Sequence, residues 1–233
     1  EEKNTRIYIL EQDGERIGQA RVDLEGQNGE ISYALCLRAR GHGYSKWMLG
    51  SIEEELREQA VCRKLIAEVK RENIASQKIF ETLSYIAVPA DYGYVFEKKI
   101  PLFTIIMCTY NSAQTLATAV ESVRNQEFGG WEMQILDNGS KDESVEKLQE
   151  YEKSDDRIKC IYRKDNIGWG KGISECLKTS AGGYMMFLGA DDYLATEHTL
   201  TEVADEVKKN HPQIIFTGTY YAKYEQGEYH IIR

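Results

Sequence analysis

Apolar and polar residues alternate from Arg6 to Glu11 and again from Arg16 to Leu24, with Asp13-Gly14 between the two runs. A period of two marks half-buried strands, and Asp-Gly is a preferred hairpin turn. A third strand is predicted from Glu30 to Leu37. The period then changes. From Ser45 to about Gln59, Met48, Ile52 and Leu56 recur every four residues among Glu53, Glu54, Glu55 and Glu58, which predicts an amphipathic helix. A strand at Lys64 to Val69, a helix at Ala75 to Leu83 and short strands at Tyr85 to Val88 and Tyr92 to Lys98 follow.

Beyond Pro101 the strands become continuous apolar runs. They are predicted at Phe103 to Cys108, Trp131 to Leu136, Ile158 to Tyr162, Tyr184 to Leu188 and Ile214 to Phe216. Helices are predicted between them at Ala113 to Asn125, Asp142 to Lys153, Gly170 to Thr179 and Leu200 to Asn210, and a hairpin around Gln226-Gly227. Uninterrupted apolar strands alternating with helices imply a parallel sheet covered on both faces. The fold class is therefore α/β. A mixed unit is expected over residues 1–100 and a Rossmann-like unit with a mainly parallel sheet over 101–233. Lys98-Lys99-Ile100-Pro101 leaves no flexible linker between them.

The 233 residues suffice for two small cores. A net charge of -9 argues against a nucleic-acid partner, which needs a basic footprint. The acidity is concentrated after Ile100, with 14 basic against 21 acidic residues, and that suits a unit handling a metal. Five cysteines without a CxxC spacing predict neither disulfides nor zinc. No apolar run approaches the roughly 20 residues needed to span a bilayer. With a polar start, Glu-Glu-Lys-Asn, the expectation is a cytoplasmic chain without a leader. Peripheral membrane association stays open.

Candidate chemistry begins at Arg38-x-x-Gly41-x-Gly43, between a predicted strand and a predicted helix. Glycines there let backbone N–H groups approach an anion, and the helix dipole favours a pyrophosphate. The turn resembles the acetyl-CoA signature of the GNAT N-acetyltransferases, and Asn73-x-x-Ser76-x-x-x-Phe80 resembles the family's second cofactor motif. The resemblance implies acetyl-CoA as co-substrate. By it, the amides of Leu35 and Leu37 lie along the pantetheine arm, and Arg38, Arg40, Gly41, His42, Gly43, Tyr44 and Ser45 surround the pyrophosphate. Asn73 and Ser76 stand near the pantetheine. The family's usual tyrosine, which reprotonates the leaving thiolate, falls at Phe80, so Tyr85 and Tyr33 are its substitutes by proximity. Glu30 is the candidate base, and a solvated strand end is its alternative. The helices that cover the acceptor amine in the family are not found before Arg6.

In the second half three strand ends carry polar clusters: Thr109-Tyr110-Asn111, Asp137-Asn138-Gly139-Ser140 and Gly189-Ala190-Asp191-Asp192. Open α/β sheets bind ligands at such ends. Adjacent carboxylates repel unless a partner holds them, and Mn²⁺ or Mg²⁺ bridging to a diphosphate is one such partner. A helix cap at Asp192 is the alternative. Together with Asn166-x-Gly168, these clusters resemble the nucleotide-binding half of a family-two GT-A glycosyltransferase. By that resemblance Thr109, Tyr110, Asn111, Asp137, Asn138 and Gly139 frame a uracil nucleotide. Asp191 approaches ribose or metal, Asp192 ligates metal, and Lys171 reaches the phosphates or is solvated. The family's acceptor region and general base lie downstream of this segment.

The resemblances imply a transferase that moves a sugar from a nucleoside diphosphate, a UDP-sugar, to a saccharide acceptor. A unit that acetylates an amine, such as that of an amino sugar, precedes it. The alternatives are a nucleotide- and CoA-binding module without turnover, or a fragment of a longer bifunctional protein.

Overall fold

The computed structural model describes residues 4–218, 221–225 and 228–232. Six strands form the first sheet: β1 (Asn4–Gln12), β2 (Glu15–Glu25), β3 (Asn28–Leu35), β4 (Lys64–Lys70), β5 (Ile86–Ala90) and β6 (Gly93–Lys99), in the order β1-β2-β3-β4-β6-β5. All neighbours are antiparallel except β3 and β4. That parallel pair holds register only from Asn28↔Lys64 to Glu30↔Ile66, although β3 runs on to Leu35 and β4 to Lys70. Beyond Glu30 the two strands part and leave a wedge in the sheet.

Helices α1 (Tyr44–Gln59) and α2 (Ile74–Thr82) pack on one face of this sheet. The four-residue spacing does its expected work in α1, where Met48, Leu49, Ile52 and Leu56 are buried against Ile17, Val22 and Ile31. Each such side chain contributes about 1.5–3 kcal/mol by leaving water. Ala60 in the left-handed conformation ends the helix, and its N–H reaches the carbonyls of Leu56 and Arg57.

The second sheet is wholly parallel, in the order β10-β7-β8-β9, from β7 (Phe103–Thr109), β8 (Trp131–Asp137), β9 (Ile158–Tyr162) and β10 (Tyr184–Phe187). Helices α3 (Leu116–Arg124), α4 (Ser144–Ser154) and α6 (Thr199–Asn210) cover the face carrying Phe103, Ile105, Met107, Met133 and Ile135. Helix α5 (Trp169–Leu177) covers Ile106 and Leu136 on the other face. Two-sided cover explains the unbroken apolar runs of β7 and β8. Strands β11 (Tyr221–Glu225) and β12 (Glu228–Ile232) pair antiparallel, and the expected turn at Gln226-Gly227 lies outside the described residues.

Two sequence expectations need correction. Ile214 to Phe216 is irregular rather than a strand, with Ile214 71% and Phe216 92% exposed; no strand among the described residues pairs with it. Helix α3 begins at Leu116 instead of Ala113, because residues 113–115 form a turn tied to the neighbouring loop.

The junction is short and bonded. The Ile100 N–H donates to the Arg63 carbonyl at 2.9 Å, and the Leu102 N–H to the Gly130 carbonyl at 2.7 Å. His211, just after α6, meets Glu58 near the end of α1 at 3.1 Å. The starts of β4 and β7 thus meet at the junction, and the C-terminal ends of these strands lie away from it. Among the described residues, no helix is long and apolar enough to cross a membrane.

Candidate functional site

The first candidate site is the wedge between β3 and β4 and the loop that follows β3. The Cys36 N–H donates to the Ile17 carbonyl of β2 at 2.9 Å, and Cys36 is extended. Alternation along the chain therefore turns the N–H groups of Leu35 and Leu37 the other way, into the wedge. A single 3-10 turn at Leu37–Ala39 then leads to Gly41 and Gly43, at φ +81° and +80°, where a side chain would be strained. Gly43 precedes α1 without any side-chain cap, and the first turn holds no acidic residue. It holds Lys46 instead, a cation at the positive end of a helix dipole. Uncapped N–H groups and a misplaced cation together prepare the spot for an anion. The loop is braced from outside: Arg38 pairs with Glu15, the Arg40 guanidinium donates to the Leu35 carbonyl, and the Tyr44 hydroxyl donates to Gln12 at 2.7 Å. His42 lies against Tyr44 with ring centroids 6.1 Å apart, and Ser45 is buried.

Across the wedge, the Asn73 side chain caps α2 by accepting the Ser76 N–H at 3.2 Å. The Ser76 hydroxyl and the Tyr33 hydroxyl are 3.0 Å apart. Tyr85 is placed differently from the sequence expectation. It is 5% exposed, packed on Phe80 and beneath Lys98, and burial beside Glu53 pushes its hydroxyl pKa well up. A phenol sealed in the core cannot serve a ligand in the wedge, so Tyr33 is the tyrosine beside Ser76. Glu30 is exposed, on the last register pair before the strands part and on the face away from the helices.

The second candidate site is a cavity of about 640 Å³ at the C-terminal ends of β7 and β10, lined by Tyr110, Asn111, Asp142, Trp169, Gly189 and Asp191 among others. Its loops are stitched together. The Asn111 N–H donates to Ser140 Oγ at 2.8 Å, the Lys141 N–H to Asn111 Oδ1 at 2.7 Å, and the Ser112 N–H to Ser144 Oγ at 3.0 Å. Asp142 accepts the N–H groups of Ala113 and Ser144, and bonds from Ser144 and then Ala113 hold its carboxyl below the ordinary range.

A depressed carboxyl pKa contributes stability above the ordinary carboxylate range, and loses it as pH falls through the lowered value. Asp142→Asn should therefore flatten the acid limb of a urea-midpoint against pH curve below about pH 4. Because the group is exposed, the change should stay under about 1 kcal/mol. An unchanged acid limb would show that Asp142 does not staple these loops.

The structure separates the residues that the sequence grouped. Tyr110, 48% exposed, Asn111 and Asp191 are on the wall. Thr109 and Asp137 are each 1% exposed and lie under the wall on the opposite strand face from Cys108 and Tyr110. Asp137 Oδ2 accepts the N–H groups of Gly139 and Ser140, while Asp137 Oδ1 and Thr109 Oγ1 are buried without a partner. Asn138 is scaffold: its Oδ1 accepts the Ile167 N–H at 2.8 Å and so positions the third loop. Gly139, at φ +82°, passes close to the Lys164 carbonyl. Lys171 is exposed on the first turn of α5, off the wall.

Asp191 and Asp192 lean together over Gly189. A Cβ at Gly189 would meet Asp192 Oδ2 at 2.7 Å and Asp191 Oδ1 at 2.9 Å. The helix-cap alternative for Asp192 fails, since α6 begins at Thr199 with His198 before it. Among the described residues one group could offer three metal ligands, and it is Glu127, Glu197 and His198, all exposed, rather than the Asp191–Asp192 pair. Its His198 Nδ1 already bonds Glu127 at 2.9 Å. Sequence reasoning missed Lys46 and Trp169 as residues of these sites.

Residues 104–233, more than half of the chain, match the model of glycosyl transferase family 2, and residues 1–85 match that of the acetyltransferase (GNAT) family. TuaG of Bacillus subtilis, whose name assigns it provisionally to teichuronic acid biosynthesis as a glycosyltransferase, is 37% identical over 92 residues, 40% of this chain and 36% of TuaG. EpsE of the same organism, provisionally named a glycosyltransferase, is 31% identical over 51% of this chain and 43% of EpsE. The chain thus spans less than half the length of these curated relatives. Among solved structures, S. aureus TarS 1–349 aligns with a TM-score of 0.44 and 27% identity, covering 47% of this chain and 33% of that one. The GNAT domain of S. lividans PAT aligns with a TM-score of 0.39 and 20% identity, covering 41% and 60%. The chain belongs to glycosyl transferase family 2, and ahead of that unit it carries a GNAT acetyltransferase domain.

Proposed function

We propose that residues 101–233 bind a nucleoside-diphosphate sugar, with uridine as the base, for transfer to a saccharide acceptor. Residues 1–100 are proposed to transfer acetyl from acetyl-CoA to an amine, such as that of an amino sugar. The observation that carries the first part is Asp191 on the same cavity as Tyr110, with the Asp192 carboxylate close to it over Gly189. Two hard oxygen donors suit Mn²⁺ or Mg²⁺, which when bound neutralises charge on a departing diphosphate. Asp192 and Asp191 are the residues to hold it. Tyr110 offers an exposed ring for stacking the base. Thr109 and Asp137, buried under this wall, support it: Asp137 Oδ2 accepts the Gly139 and Ser140 N–H groups and so fixes the loop beside Asn111.

In the acetyltransferase unit the proposed roles divide between the two faces of the sheet. Loop residues 40–45 hold the pyrophosphate through N–H groups, and the Leu35 and Leu37 amides follow the pantetheine arm. Glu30 takes a proton from the amine on the open face as nitrogen attacks the thioester carbon. Tyr33, with Ser76, returns a proton to the leaving thiolate on the helical face.

Calorimetry tests the nucleotide reading. UDP affinity should rise when Mn²⁺ is added, and Asp192→Asn should remove most of that rise while sparing metal-free UDP binding. Tyr110→Ala should do the reverse, weakening UDP with or without metal by about 1–3 kcal/mol. Mn²⁺-dependence that survives in Asp192→Asn would refute the metal assignment. UDP and acetyl-CoA binding without hydrolysis or transfer would favour a binding module.

A further inference from the structure

One aromatic pair beside the nucleotide cavity has no place in the functions proposed above. Gly168 precedes α5 at φ 83° and ψ 156°, a backbone conformation reserved for glycine, and so places Trp169 as the first helical residue. Trp169 stands four residues before Ile173 and seven before Cys176, on the face that anchors α5, yet it is not part of the buried cluster those two residues form. Its ring stands out on the cavity wall instead, 64% exposed. Phe187, the last residue of β10, is 54% exposed, with its ring centroid 6.3 Å from that of Trp169 and the planes at 55°. Two large rings exposed beside each other, supported by a strained glycine, are not core residues. They form an apolar platform opening on a polar cavity.

Position indicates what the platform takes. Phe187 is two residues before Gly189, over which both carboxylates lean, and β10 is the edge strand of the sheet. Tyr110, the base-stacking candidate, stands one strand further in, at the end of β7, on the side stitched to the β8 loop. Tyr110, Asp191 and Trp169 therefore line one cavity, with Phe187 against Trp169, so a group carried on a nucleotide held between Tyr110 and Asp191 shares that cavity with the Trp169 ring. Aromatic faces carry negative charge density and attract the C–H-rich face of a pyranose ring, while the indole N–H can donate to a hydroxyl. We propose that Trp169 and Phe187 form a pyranose-binding platform of the glycosyltransferase unit, serving either the donor sugar or the acceptor saccharide. This rests on the nucleotide-sugar reading.

The test uses Trp47→Phe as background, because Trp47 is the other exposed tryptophan and Trp131 is 1% exposed. Ligand-induced changes in emission then report mainly on Trp169, since Trp131 is shielded from solvent and ligand. UDP, UDP-glucose, UDP-N-acetylglucosamine, and N-acetylglucosamine or glucose with UDP present are titrated at fixed Mn²⁺. UDP-sugars should quench this emission more than UDP if the platform serves the donor, and free saccharide should quench it if the platform serves the acceptor. By calorimetry Trp169→Ala should weaken that one ligand class at least tenfold and leave UDP within twofold, and Trp169→Phe should retain most of the affinity. Equal weakening of UDP would make Trp169 a base-stacking residue and overturn the proposal. So would unchanged affinity for every ligand, or blue-shifted emission showing Trp169 covered by other parts of the chain. Failure of the nucleotide reading looks different: unmutated protein binds neither UDP nor UDP-sugar, and the donor platform falls with it.

Discussion

Gly41→Val should weaken acetyl-CoA binding at least tenfold, about 1.4 kcal/mol, while the protein stays folded. The substitution introduces no clash by itself, because a Cβ at Gly41 meets nothing within 4 Å. Its first effect is conformational: φ is +81°, and a β-branched residue there is an outlier, so the loop relaxes toward negative φ. Relaxation turns the N–H groups of residues 40–45 away from one another, and they can no longer converge on a pyrophosphate. Its second effect is steric, since the added methyls occupy the space where the ligand approaches the backbone. Gly26→Val supplies the control. It has φ +58° and equally open surroundings in the β2–β3 turn, so it carries left-handed strain without touching the loop or the residues that brace it. Equal affinities for the two variants, measured by calorimetry, would refute the site.

The two units were legible in the sequence to different depths. The period-two and period-four runs located nearly every strand and helix, because each element buries one face or both against its own sheet. The wedge was not legible. Asn28–Glu30 pairs with β4 while Ile31–Leu35 does not, and both stretches read as the same alternating strand. Register is settled by what packs against the strands, here Tyr33 leaning on Phe80 at 6.1 Å. The burial of Thr109 and Asp137 could have been read, since a period of two puts Cys108 and Tyr110 on one face of β7 and Thr109 on the other. Trp169 left no signal, because it stands four residues before Ile173 and seven before Cys176 and so reads as one more residue of the buried stripe. Tyr85 gave none, because proximity along the chain says nothing about which side of Phe80 a ring will take. Ile214 to Phe216 misled for the opposite reason, as three apolar residues make a strand only when another strand offers hydrogen bonds.

A large loss of stability should come from substituting Gly182, and its effect should extend to the carboxylates some ten residues downstream. Glu132 is 5% exposed in the middle of the parallel sheet. Its Oε1 accepts the Thr104 hydroxyl at 2.7 Å and the Ala181 N–H at 2.6 Å, and the Gly182 N–H in turn donates to Thr104 Oγ1 at 2.9 Å. This small network fastens the loop before β10 to the start of β7, and so fixes the register Tyr184↔Phe103 through Phe187↔Ile106. Asp191 and Asp192 take their places from that register. A Cβ at Gly182 would come within 2.6 Å of Thr104 Oγ1 and 2.7 Å of the Phe103 carbonyl carbon, and it also meets the Thr104 backbone nitrogen. Backbone cannot swing aside as a side chain does, so Gly182→Ala must push β10 away from β7. The expected cost is about 2–4 kcal/mol, read as a lower urea midpoint. Glu132→Ala should cost about 1.5–3 kcal/mol by stranding the Thr104 hydroxyl and Ala181 N–H, and Glu132→Gln, which keeps an acceptor oxygen, should cost less. At temperatures where Gly182→Ala remains folded by circular dichroism, Mn²⁺-dependent UDP binding should be lost and acetyl-CoA binding kept, because the first sheet has a core of its own. Intact metal-dependent UDP binding in Gly182→Ala would mean that the carboxylates are positioned by their own loop and not by the register of β10.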